Sequence, residues 1–150
     1  YVSYYPPDNS YEEKYYIDGR QHRDGDLPAT IFVWSGTVVR EQYMMDDVLH
    51  RENDLPADII YRDGVVVAYY KYYKNNLHSV TGPAQFIRFD NGKINLSYYV
   101  NGKKLSQSAF NKKYFPDLYN KQQLDKPIYI RGKKYKVSHF VGDHIMLEPF

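Results

Sequence analysis

At 150 residues the chain has room for one domain, or for one repeat array with a small appendage. It contains no cysteine, which excludes disulfides and thiolate metal sites, and no apolar run long enough to span a membrane as a helix. The net charge of +2 conceals a division: residues 1–102 carry 10 Lys/Arg against 14 Asp/Glu, whereas residues 103–136 carry 10 Lys/Arg against only Asp117 and Asp125.

Of the 150 residues 18 are Tyr, and the mean hydropathy is −0.69, a combination that predicts thin β-sheets with half-wet faces. Residues 1–14, with Tyr-Pro-Pro and Asp-Asn-Ser, read as an extended arm. A repeat follows over residues 15–105. His22-Arg23-Asp24-Gly25-Asp26-Leu27-Pro28-Ala29-Thr30-Ile31 returns as His50-Arg51-Glu52-Asn53-Asp54-Leu55-Pro56-Ala57-Asp58-Ile59, and again, one residue shorter, from His78 to Phe86. Gly36, Gly64 and Gly92 keep the same 28-residue period, preceded by Ser35, Asp63 and Asn91. A second set of turn pairs falls at Asp18-Gly19, Asp46-Asp47 and Asn75-Asn76, with a partial fourth copy ending at Asn101-Gly102.

These dipeptides take positive φ at little cost, so they predict hairpins. Ala29–Trp34 is expected to pair with Thr37–Met44, Ala57–Arg62 with Val65–Tyr73, and Ala84–Asp90 with Lys93–Val100. Proline has no donor and suits the residue before a strand, while the small alanine after it lets repeats approach closely. In residues 106–150, Gln107–Phe115 reads as a short helix stopped by Pro116. Pro127–Arg131, Lys134–His139 and His144–Glu148 read as the strands of a small basic β cap. The expected fold is all-β: an elongated antiparallel meander of three to four hairpin repeats, with a short helix and a small C-terminal β unit.

With Tyr-x-x-(Asp/Asn)-Gly-x-x-His-Arg-x-x-(Gly/Leu)-Pro-Ala-x-Ile written out, the chain resembles MORN-like β-hairpin repeat proteins over about residues 15–105. It is most similar to the His-Arg/Gly-Pro-Ala variant found in proteins of large DNA viruses and some phages. Leu27 and Leu55 depart from the pattern, and Gly82 keeps it. The resemblance implies a non-catalytic scaffold or interaction protein of viral origin, located in the virion or host cytoplasm, and it carries no catalytic residues.

Among candidate sites, His22, His50 and His78 repeat too far apart along a sheet to share one ion, so a structural bond to the adjoining turn is expected. His139, Asp143 and His144 surround a Gly-Asp turn and read as a polar turn. The acidic residues sit mostly in turns, where solvation removes the apolar surroundings that a working carboxylate pair needs. No nucleophile motif or phosphate-binding loop is present in the sequence, so no catalytic, cofactor or metal residue is assigned. Partner binding is expected at the tyrosine doublets Tyr69-Tyr70, Tyr72-Tyr73 and Tyr98-Tyr99, each placing one ring on either face, and at Lys112, Lys113, Lys133 and Lys134. The expected partner is a protein, either a capsid or other viral protein or a second copy. An antitoxin-like inhibitor is the alternative, and a nucleic-acid binder using the basic tail the third reading.

Overall fold

The computed structural model describes residues 9–116 in full, and the backbone alone of strands within residues 2–5, 128–130, 133–141 and 144–149. The chain divides into two units, Tyr1–Ser106 and Gln107–Phe150.

The first unit alternates hairpins of two sizes. Long hairpins pair β1 (Val2–Tyr5) with β2 (Ser10–Lys14), β5 (Thr30–Trp34) with β6 (Thr37–Gln42), β9 (Asp58–Arg62) with β10 (Val65–Tyr70), and β13 (Gln85–Arg88) with β14 (Ile94–Val100). Short hairpins pair β3 (Tyr16–Ile17) with β4 (Arg20–Gln21), β7 (Met44–Met45) with β8 (Val48–Leu49), and β11 (Tyr72–Tyr73) with β12 (Asn76–Leu77). The end of β14 folds onto β15 (Lys103–Leu105) as the fourth of these. The long strands join in the order β1-β2-β5-β6-β9-β10-β13-β14-β15, with every pairing antiparallel. The protein is therefore all-β, an antiparallel meander, with one short helix among the described residues.

Residues 1–14 depart from the extended arm expected of them. Within them β1 pairs with β2 from Val2 opposite Glu13 to Tyr5 opposite Ser10, and β2 pairs with β5 from Tyr11 opposite Val33 to Lys14 opposite Thr30. Its turn lacks glycine; Asn9 takes the left-handed conformation instead, at φ 59°.

Ser35-Gly36 and Asp63-Gly64 have positive φ at both positions, the type I′ pattern that matches strand twist. Past each turn one residue, Val39 or Val67, has no partner across the ladder and forms a bulge. The β13–β14 hairpin solves the same problem differently. There Gly92 alone is left-handed, Gly92 N–H donates to the Phe89 carbonyl, and the ladder beyond runs without a bulge.

The small turns fall at Asp18-Gly19, Asp46-Asp47, Lys74-Asn75 and Asn101-Gly102. Thus the third lies one residue before the expected Asn75-Asn76, and Asn76 opens β12 instead. The 28-residue spacing from Asp46 is kept at the cost of a left-handed lysine.

Ala29, Ala57 and Ala84 are fully buried where successive repeats meet. Each donates its N–H across the hairpin that it opens, to the carbonyl of Gln42, Tyr70 or Ser97, and its own carbonyl accepts from the N–H of Tyr15, Tyr43 or Lys71, which follows the preceding long hairpin. A larger side chain at this crossing would force the two hairpins apart.

Among the described residues of the first unit, buried hydrophobic side chains are otherwise few: Val33, Ala68 and Tyr98. A single-layer sheet leaves both of its faces half-covered, and side chains across the ladders provide most of the cohesion.

The second unit opens with α1 (Gln107–Tyr114), where buried Phe110 packs against Tyr114 and Phe115 at ring distances of 4.9 and 6.0 Å. Its strands β16 (Ile128–Ile130), β17 (Lys133–Val141) and β18 (His144–Pro149) form a three-stranded antiparallel sheet. Among the described residues no helix is long and apolar enough to cross a membrane.

Candidate functional site

The repeated His-Arg loops have a shared internal use. Arg23 and Arg51 lie over the rings of Tyr15 and Tyr43 at 3.7 and 3.6 Å, and each donates to the carbonyl of the proline that ends its loop. Arg51 also reaches back one repeat to grip Asp26 with two bonds of 2.7 and 2.9 Å. In the next copy Ser79 replaces this arginine and Lys71 replaces the tyrosine. Asp54 now accepts from the Ser79 hydroxyl, the Val80 and Thr81 N–H groups and the Thr81 hydroxyl, with the Lys71 ammonium nearby at 3.8 Å. Asp26 and Asp54 can aim forward because Gly25-Asp26 and Asn53-Asp54 are left-handed pairs.

Electrostatics follow from these bonds. The Arg51 hydrogen bond holds the Asp26 carboxyl below the usual aspartate range. Burial pushes Asp54 upward, and the bonds from Thr81 and Ser79 more than offset it, so its pKa also ends low.

The histidines connect repeats too. His50 Nδ1 accepts from the Lys74 N–H, so its proton lies on Nε2 and is donated to Glu52 at 2.8 Å. His78 Nδ1 accepts from the Asn101 N–H, one repeat later. His22 lies 3.2 Å from both Asp24 and Asp46. Each imidazole therefore binds the small turn of the following copy. Asp47 adds a bridge of its own, accepting from the Gln21 N–H and donating its own N–H to the Gln21 carbonyl. Asn75 does the same with Leu49.

Between successive loops lie two equivalent clefts of about 220 and 200 Å³. The first is walled by His22, Asp26, Tyr43 and Arg51, the second by Asp54, Lys71, Tyr73 and His78. Their charged walls are the same groups that tie the repeats together. Among the described residues no group of three or more His, Asp or Glu side chains is placed to hold a metal ion. The His139, Asp143 and His144 group lies outside the described side chains; in the backbone register His139 faces Met146 and His144 faces Val141.

The tyrosine doublets do not form one ladder. Tyr69 stacks on Phe86 at 5.3 Å on one face, while Tyr70 lies on the other, 6.4 Å from Tyr72. Across the sheet the Tyr70 row continues as Asp58, Gln42 and Thr30, because the doublets do not occupy equivalent positions of the repeat. Tyr73 is 41% exposed and sits between His50 and His78, whereas Tyr98 is buried. Tyr99 lies 5.8 Å from the Lys104 ammonium. Lys112 and Lys113 are exposed in the last turn of α1. Lys133 and Lys134 open β17, their side chains outside the described set.

Exposed apolar residues also gather at the turn end of the long hairpins. Trp34 is 62% exposed, Val65 51% and Ile94 49%, with Val38 and Phe89 also exposed. All flank the turns at Ser35-Gly36, Asp63-Gly64 and Asp90-Asn91-Gly92, which the hairpin topology brings to one end of the sheet. Sequence reasoning passed over this rim, although apolar residues immediately beside three solvent turns were its signal. No family model, curated protein or solved structure matches the chain.

Proposed function

We propose that the chain is a non-catalytic repeat scaffold that binds other proteins, with the apolar rim of its sheet as the principal contact. The carrying observation is that Trp34, Val38, Val65, Phe89 and Ile94 are all exposed at one end of three consecutive hairpins. Singly scattered exposed hydrophobics are ordinary, whereas several gathered at one end of a sheet suit an interaction surface. Support comes also from the loops, whose charged groups already serve repeat-to-repeat bonds. The rigid side chain of Trp34 suits an anchor residue. A virion-associated structural or accessory role is the setting that the His-Arg/Pro-Ala resemblance implies.

Trp34 is the single tryptophan, so its fluorescence reports directly on the rim. Titration of the chain with a protein that co-purifies with it should shift Trp34 emission to the blue. Val65→Ser should weaken that binding at least tenfold, or about 1.4 kcal/mol, while the melting curve stays in place. Unchanged emission together with undiminished affinity in Val65→Ser would remove the rim from the binding site.

A further inference from the structure

The strand β14 carries an open edge in the interior of the chain. Among the described strands, residues 94–97 pair with β13 alone, from Arg88 opposite Ile94 to Gln85 opposite Ser97. Residues 98–100 are covered on their outer side by β15, with Leu105 opposite Tyr98. The open stretch is thus closed at one end by β15 and at the other by the turn at Asp90-Asn91-Gly92. Its backbone is directional. The Ala84 N–H donates to the Ser97 carbonyl and the Phe89 N–H to the Lys93 carbonyl, both at 2.9 Å, so the odd-numbered residues bond inward. Direction alternates along an antiparallel strand, and Ile94 and Leu96 therefore aim their N–H and carbonyl groups outward.

The side chains of this edge are apolar on one face and uncovered. Leu96 is opposite Phe86, which stacks on Tyr69, so an apolar row runs through the sheet to the edge and stops there. Ile94 and Leu96 are 49% and 45% exposed. Edge strands are normally blunted by charge or proline. Ile-Asn-Leu-Ser contains neither.

Resting on the reading of this chain as an interaction scaffold, we propose that a second copy covers this edge, β14 pairing antiparallel with the same strand of its partner about a two-fold axis at Asn95. Ile94 of each chain then faces Leu96 of the other, and the outward backbone groups of both are satisfied. Asn95 faces its own counterpart, and Lys93 faces Ser97, so no like charges meet. Ile94 and Leu96 of the two chains gather on one face and continue the row from Tyr69 and Phe86. The ends of the open stretch select this occupant. An extended peptide that ran on past Ser97 would meet Leu105 of β15. The β14 strand of a second copy turns away at Gly92, which this register sets opposite Tyr98. A two-fold contact uses the same patch on both chains, so assembly closes at two. Strands this short bury far less than the roughly 1,200 Å² at the lower end of standard interfaces, so the dimer depends on concentration.

The chain has no cysteine, so Asn95→Cys introduces its only thiol. In this register the two copies of that position form a non-hydrogen-bonded pair with Cα atoms about 4.5 Å apart, within reach of a disulfide. Under mild oxidation Asn95→Cys should give a covalent dimer about tenfold faster than Thr37→Cys, whose thiol would lie exposed on the rim. Sedimentation of the unmodified chain, from micromolar to near-millimolar concentration, should show a mass that rises and levels at two chains. Leu96→Lys, with unchanged circular dichroism, should remain a monomer; should it fail to fold, Leu96→Thr should weaken the dimer in the same direction. Trp34 lies on β5, five strands from β14 in the sheet, so its emission should stay constant as the dimer forms. A chain that stays monomeric throughout overturns the proposal, as does a mass that grows past two chains. So does a Leu96→Lys chain that dimerises like wild type, or cross-linking no faster at Asn95→Cys than at Thr37→Cys. A blue shift of Trp34 on self-association would move the contact to the rim and overturn it too. Binding of a co-purifying protein at the rim is read separately, and failure of the dimer leaves that reading in place.

Discussion

At the scale of single residues, the recurring His-Arg loop is a device for joining one repeat to the next. Arg51 combines a ring contact with Tyr43, a bond to the Pro56 carbonyl and a two-pronged bond to Asp26. Its replacement by alanine should lower unfolding stability by about 2–3 kcal/mol, the sum expected of a charged hydrogen bond and a stacked guanidinium. A urea midpoint unchanged from wild type would show that the arginine joins nothing. The pH dependence is directional as well. Asp26 and Asp54 have folded pKa values below the ordinary aspartate value of about 3.9. Their contribution is complete above that pH and is lost as pH falls through the folded values. Asp54→Asn should therefore flatten the acid limb of stability against pH; an acid limb as steep as wild type would contradict the assignment. Burial raises the pKa of Tyr43, Tyr69, Tyr72 and Tyr98, so the phenols favour the fold below about pH 10 and cease to do so as pH climbs past their folded values. The share of tyrosinate absorbance that belongs to these four phenols should accordingly appear together with unfolding rather than before it.

At the scale of elements, the 28-residue period belongs to a long hairpin plus a short one, and its one-residue slips have local causes. In the first two described repeats a two-residue turn is followed by a bulge at Val39 or Val67. In the third, the shortened loop before Pro83 is offset by the longer turn at Asp90-Asn91-Gly92, and the bulge is gone. Gly36, Gly64 and the Pro-Ala landmarks were legible in the sequence because only certain residues tolerate those backbone positions. The first hairpin was not, since its turn uses Asn9 in place of glycine and Pro6-Pro7 suggested an arm. The Lys74-Asn75 turn was displaced by one because Asn75-Asn76 is the better turn dipeptide, whereas the ladder with Tyr72 opposite Leu77 sets the register. Ala57 is fully buried at a crossing between repeats. Ala57→Leu should cost about 1–3 kcal/mol by overpacking, seen as a lower denaturation midpoint. A stability equal to wild type would mean that the crossing is looser than its geometry implies.

At the scale of the whole molecule, the first unit gains its order from ladders and loop bonds more than from a deep core, as the short roll of buried residues shows. This limited what the sequence could disclose about the site. Alternation of polar and apolar residues distinguishes faces only where one face is covered, and here both are partly wet. Tyrosines drew attention as interface residues, yet Tyr98 is buried and Tyr69 stacks within the sheet. The exposed rim instead depends on which turns share an end, a property of topology and not of local composition. Hydrogen–deuterium exchange of the chain, alone and saturated with its co-purifying protein, tests the central claim most directly. Protection on binding should concentrate at Trp34–Val38, around Val65 and at Phe89–Ile94. Protection confined to the His22–Leu27 and His50–Leu55 loops, with the rim exchanging as in the free chain, would contradict it.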